Sequence, residues 1–259
     1  MDELTTTLQL APPPPDVTVA AAPPRRRSIL PRWLALAEVI VVSGLPTQFL
    51  VMVVLILGTN LPILDADNNP TFEFFAMLSL LDTALIALLL RVFLILSGET
   101  SARVFVGLRP IKGELLRGLV MLPIVTLVTA GVGLLLRWIA PWTHNVAVNP
   151  YDRYMHSPIE ATIFVVVVVL AGGIREELQR AFTLHRFGQR LGGMRWGLAI
   201  YSIVFMLPHL VQGIDAAIQV GLLGVFWGVV YIRRRSAVAN MVSHAGFDAA
   251  QVVLGFFTH

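Results

Sequence analysis

Seven stretches of this chain stay apolar for long enough to cross a lipid bilayer, and that feature constrains the fold before any other. They run from Leu34 to Leu57, Phe72 to Leu96, Leu115 to Ile139, Ile159 to Leu178, Trp196 to Leu210, Ala216 to Ile232 and Val238 to Phe257. A hydrocarbon layer about 30 Å thick needs roughly 20 residues per helix, so the fifth and sixth stretches are the short ones. Every backbone polar group in a span must be satisfied internally, which leaves only helices or closed barrels. The period-two alternation that marks a barrel is absent. The expected fold is therefore all-α, a polytopic transmembrane helical bundle of about seven spans. A mean hydropathy of +0.76 and a charged content of 14% agree, lying outside the range of ordinary soluble domains.

Three regions are expected along the chain. Residues 1–32 carry Pro12-Pro13-Pro14-Pro15, Pro23-Pro24 and Arg25-Arg26-Arg27, the composition of a disordered basic tail. Residues 33–150 hold the N-terminal transmembrane helices, and residues 151–259 a helical core that carries most of the intramembrane polar groups. The basic loops around Arg103 to Lys112, His185 to Arg195 and Arg233-Arg234-Arg235 fall on the side of the tail, whereas the acidic loop Asp65-Ala66-Asp67 falls on the other. The positive-inside rule then places the N-terminus in the cytoplasm, and the short loops suit a bacterial plasma membrane. It also accounts for the net charge of +3, so the expected partner is the lipid bilayer and no nucleic acid. The absence of cysteine excludes disulfides, thiol nucleophiles and thiolate metal sites.

Ionisable groups inside a bilayer cost several kcal/mol each and mark functional sites or pair with one another. Glu176 and Glu177 with Arg180, then His209, then His244 with Asp248 are such groups on three different helices. Glu176 and His209 lie equally far from the Gly192-Gly193 turn, 16 residues on either side (192 − 176 and 209 − 193), which puts them at one depth. Residues four apart share a helix face, so Glu176 is expected over Arg180 and His244 over Asp248. Pro208 removes an amide donor beside His209 and should free a backbone carbonyl there. A buried carboxylate beside two imidazoles can activate water. His209 and His244 can hold a divalent metal such as zinc, or no cofactor is needed and they donate hydrogen bonds to an oxyanion. Asp82 and Arg91, nine apart in the second span, fall on roughly opposite faces and are read as packing or topology elements. His144, His156, His185 and His259 fall in loops or at the terminus and are given no role.

The ordered set Glu176-Glu177 with Arg180, Phe205-x-x-x-His209 and His244-x-x-x-Asp248 resembles the CAAX-protease and bacteriocin-processing family of intramembrane endopeptidases. The resemblance covers about residues 155 to 257. It implies hydrolysis of a peptide bond in a membrane-associated protein or peptide. Glu176 would be the general base, His209 would help to activate the water, and His244 with Asp248 would stabilise the oxyanion. The family's first motif has three residues between its second glutamate and the arginine, whereas Leu178 and Gln179 alone separate Glu177 from Arg180. Two registers follow. Either Glu176 and Glu177 keep the family's roles, or Glu176 takes the second-glutamate role and Arg175 stands where the base should be. The first is preferred because it keeps Glu176 level with His209, and the site is expected to open toward the cytoplasmic leaflet. The rival readings are a catalytically inactive relative serving as a membrane scaffold or immunity factor, and a proton-coupled transporter.

Overall fold

The computed structural model describes residues 30–258; the tail expected over residues 1–32 lies, up to residue 29, outside them, as does His259. Among the described residues nine α-helices follow one another: α1 (Arg32–Val41), α2 (Leu45–Gly58), α3 (Phe72–Leu96), α4 (Ile111–Ile139), α5 (Pro158–Val167), α6 (Glu177–Gln189), α7 (Met194–Met206), α8 (Ile214–Arg234) and α9 (Val238–Thr258). The described residues hold no strand beyond an isolated bridge between Leu64 and Pro70. The all-α bundle expected from the sequence is the fold observed.

Among the described residues five helices are long and apolar enough to cross a membrane, and α1 with α2, bent by 47°, makes a sixth if the pair is one span. The bend falls at Gly44, whose φ of +99° suits a residue without Cβ. The seventh stretch forms the 21-residue α9 but does not reach the same apolarity, because Asn240, Ser243, His244, Asp248 and Gln251 interrupt it. Such a helix is tolerated in a bilayer when protein surrounds it, and α9 packs against α4, α5 and the segment between α5 and α6.

The stretch expected to end at Leu178 runs on instead. α5, a π-helical segment (Val168–Glu176) and α6 form one continuous helix, Pro158–Gln189, of 32 residues. Its start is capped by a side chain: Ser157 Oγ accepts from the Glu160 amide at 3.2 Å and donates to the Glu160 carboxylate at 3.0 Å. The π segment lies against α9 at close range. A Cβ on Gly173 would stand 2.3 Å from Ala245 Cβ, and one on Gly172 would stand 2.3 Å from Asp248 Oδ2. The two glycines are what allows this approach.

The charged loops sort to the two ends of the bundle. At the basic end, buried Arg186 of α6 donates through Nε to Glu38 of α1 at 2.6 Å and is ion-paired with Glu99 after α3. There also, Arg234 Nε reaches the Glu114 carboxylate of α4 at 3.0 Å. At the opposite end, His144 Nδ1 lies 2.8 Å from Asp215, and Asn145 accepts from the Ile214 amide at 2.9 Å. These contacts pin the long connection after α4 to the start of α8.

Candidate active site

The π segment sets the direction of three successive charged side chains. In a π-helix the hydrogen bond spans five residues, and the extra residue per turn rotates the side chains that follow. Arg175 points toward α3, where its Nη1 meets Asp82 Oδ2 at 2.7 Å. Glu176 faces the interior cavity. Glu177 turns toward α9 and forms a buried ion pair with Arg180. The expected stacking of Glu176 over Arg180 is therefore corrected: Arg180 pairs with Glu177, three residues away, because the π turn carries Glu176 off that face.

Arg180 is fully buried among rings. Its guanidinium lies 4.7 Å from the Phe205 ring centroid, 5.1 Å from that of Tyr201 and 5.5 Å from that of Trp227. Guanidinium groups favour the faces of aromatic rings, which helps to offset the loss of water.

His244 is fixed from two directions. Its ring stacks on Trp227 with centroids 4.0 Å apart, and its Nδ1 lies 2.9 Å from Glu177 Oε1. The Glu177 carboxylate already accepts from Arg180, so Nδ1 carries the proton and donates. The other nitrogen, Nε2, then faces Asp248 Oδ2 at 3.5 Å and Glu176 Oε2 at 3.8 Å. The Trp227 indole N–H donates to Ser243 Oγ at 3.3 Å, and Asn240 Nδ2 donates to the Trp227 carbonyl at 2.7 Å. Both bonds hold the indole against the imidazole.

His209 comes from another direction. The α-helical spacing of α7 ends at Met206 and gives way to a 3₁₀ segment, Leu207–Gln212, that contains Pro208. His209 Nδ1 takes up the Phe205 carbonyl at 2.9 Å, and since a carbonyl only accepts, Nδ1 is the protonated nitrogen. Nε2, the other ring nitrogen, takes no part in that bond.

Glu176, His209, His244 and Asp248 all line one cavity of about 480 Å³. The side chain of Glu176 is 19% exposed and that of Glu177 is 1% exposed, so the first carboxylate is accessible from the cavity and the second is not. The cavity runs along α9 toward the end opposite the basic loops, where Asn149, Tyr151, Asp152 and Thr258 line it. An opening toward the basic end, the side assigned to the cytoplasm, is not what the geometry shows. Burial and the nearby Glu176 carboxylate push the Tyr151 phenol above its ordinary range.

The alternative register would turn Arg175 toward the histidines; the side chain instead reaches Asp82, and Glu176 occupies the cavity wall. Sequence reasoning missed that pair. The signal was present, because Asp82 and Arg175 lie equally far from the basic ends of their helices (96 − 82 and 189 − 175 are both 14). It missed Trp227 and Tyr201 as well, whose type alone does not separate a ring beneath the His244 imidazole from ordinary packing. Tyr201 donates to the Glu176 carbonyl at 2.9 Å, which ties α7 to the end of the π segment.

Among the described residues no group of three or more histidine, cysteine, aspartate or glutamate side chains converges so as to hold a metal ion. His209 and His244 each have Nδ1 engaged with a protein acceptor, which leaves Nε2 as the ring nitrogen of each that could meet an ion.

No match was found among curated proteins or among solved structures. Residues 158–250 do match a family model, and that segment contains Glu176, Glu177, Arg180, His209, His244 and Asp248. The helices from α5 into α9 are thus similar to the Type II CAAX prenyl endopeptidase Rce1-like family, which is consistent with the CAAX-protease and bacteriocin-processing family, in a chain whose apolar helices fit an integral membrane protein.

Proposed function

We propose that this protein is an intramembrane endopeptidase that hydrolyses a peptide bond of a membrane-associated protein or peptide, with Glu176 as general base. The observation that carries the reading is the Glu176 carboxylate beside His244 Nε2, in a cavity shared with His209 and Asp248, on the segment that matches an endopeptidase family.

The bare Nε2 of His209 accepts one hydrogen of a water in the cavity and orients it, while Glu176 takes the other proton as the water oxygen bonds to the scissile carbonyl carbon. The cluster of Asp82, Glu176, Glu177 and Asp248 holds four carboxylates against the guanidiniums of Arg175 and Arg180. A proton shared between His244 Nε2 and Asp248 offsets part of that imbalance and gives the tetrahedral oxyanion a donor. The carbon–nitrogen bond then breaks, and Glu176 returns its proton to the leaving amine. Glu177 and Arg180 do not touch the substrate in this reading; they hold the His244 ring by its far nitrogen. No step requires a metal.

The test uses purified protein in liposomes with a library of lipid-anchored peptides, and cleavage products are read by mass spectrometry. Glu176→Gln and His209→Ala should abolish every cleavage seen with the parent while leaving the folded amount unchanged. Cleavage that persists in both variants would overturn the reading.

A further inference from the structure

A hydrolytic site deep in a bilayer needs a route for water and for the peptide. The stripe His244, Asp248, Gln251, Gly255 and Thr258 supplies one, because these residues are spaced by four, three, four and three along α9 and so share one helix face. All five line the cavity. The stripe spans 14 residue steps, about 21 Å of helix. Across the cavity α8 contributes Gln219. The carboxamides of Gln219 and Gln251 line the cavity and make no hydrogen bond to another described residue. A carboxamide both donates and accepts, which matches the needs of water and of an extended peptide backbone.

The stripe ends at the pole of the bundle that carries Asp65, Asp67, Asp152, Glu160 and Asp215. Arg103, Arg109, Lys112, Arg190, Arg195 and the Arg233–Arg235 run lie at the other pole. Basic loops stay in the cytoplasm during insertion. We propose that the α9 stripe is the entry track for water and for an extended peptide segment. It opens on the non-cytoplasmic face, so the bonds presented to Glu176 belong to segments exposed on that side. The cleavage part rests on the endopeptidase reading; the access part does not.

The chain has no cysteine, so single-cysteine variants report cleanly. Thr258→Cys and Gln251→Cys probe the track, and Leu108→Cys, 99% exposed at the basic pole, is the reference. A membrane-impermeant thiol reagent is added to intact cells expressing the full chain and to inverted vesicles, and labelling is scored on monodisperse purified protein. The expected result is labelling of Thr258→Cys and Gln251→Cys in intact cells, and of Leu108→Cys only in inverted vesicles. Labelling of Thr258→Cys only in inverted vesicles would reverse the assigned face and overturn the proposal. A Gln251→Cys thiol unreactive from both sides, with Thr258→Cys reactive, would show that no continuous track exists. Labelling needs no hydrolysis, so this outcome stands apart from that of Glu176→Gln.

Discussion

Arg175 and Asp82 form a buried ion pair between the π segment and α3, with Nη1 and Oδ2 2.7 Å apart and Asp82 wholly out of contact with solvent. Arg175 Nη2 also lies 3.7 Å from Glu176 Oε1, so the same guanidinium links α3 to the proposed base. Removing one partner of a buried pair leaves an uncompensated charge and costs about 3–5 kcal/mol, whereas replacing both with neutral groups is often nearly neutral. Asp82→Asn and Arg175→Gln should each lower the unfolding temperature in detergent strongly. The double variant should recover most of that loss. It should still cleave poorly, because the guanidinium beside Glu176 is gone. Parental cleavage by the double variant would make the pair purely structural.

The two adjacent glutamates should separate cleanly. Glu176 faces the cavity with no close hydrogen-bonding partner to strand, so Glu176→Gln should unfold at the parental temperature while cleavage is lost. Glu177→Gln removes the counter-charge of fully buried Arg180 and weakens the anchor of His244 Nδ1. Its unfolding temperature should fall, with a loss of about 3–5 kcal/mol. Equal unfolding temperatures for the two variants would mean that Glu177 does not carry the pair.

That Glu176 and His209 share a cavity was legible in the sequence because the Gly192-Gly193 turn gives both a common origin along their helices. The partner of Arg180 was not, since the prediction used a regular 3.6-residue turn, and a π segment leaves no compositional mark in a run of valines. The direction of the cavity was equally hidden. Charges at helix ends report which pole faces the cytoplasm, but the path from a buried group to water depends on which side chains leave space. Along α9 the sequence shows Gln251 and Thr258 only as breaks in an apolar run.

Gly173 offers a test of the packing that brings the helices together. A Cβ there would stand 2.3 Å from Ala245 Cβ and 2.6 Å from the Ala245 amide nitrogen, so backbone as well as side chain is in the way. Overpacking of this kind costs typically about 1–3 kcal/mol. Gly173→Ala should lower stability and move α9, with His244 and Asp248, away from Glu176. The expected readout is a reduced unfolding temperature and reduced cleavage together. Gly131, where an added Cβ meets nothing within 4 Å, provides the control, and Gly131→Ala should match the parent in both measurements.

Glu99, in the connection after α3, should make stability depend on acid. Burial alone would raise its carboxyl, but hydrogen bonds from His185 and Arg186 outweigh that and hold it at about 2, against an ordinary value of 4.5. A carboxyl whose folded value is depressed contributes stability that is complete above about 4.5 and is lost as pH falls toward about 2. The same residue joins the connection to α6 through His185 at 2.7 Å and Gln189 at 2.6 Å, so its protonation loosens the basic pole. Unfolding temperatures of the parent in detergent should fall across that interval. In Glu99→Gln the temperature should start lower at neutral pH and change less, because a neutral amide has no proton to gain. A parent and variant with parallel pH profiles would show that the titrating group lies elsewhere.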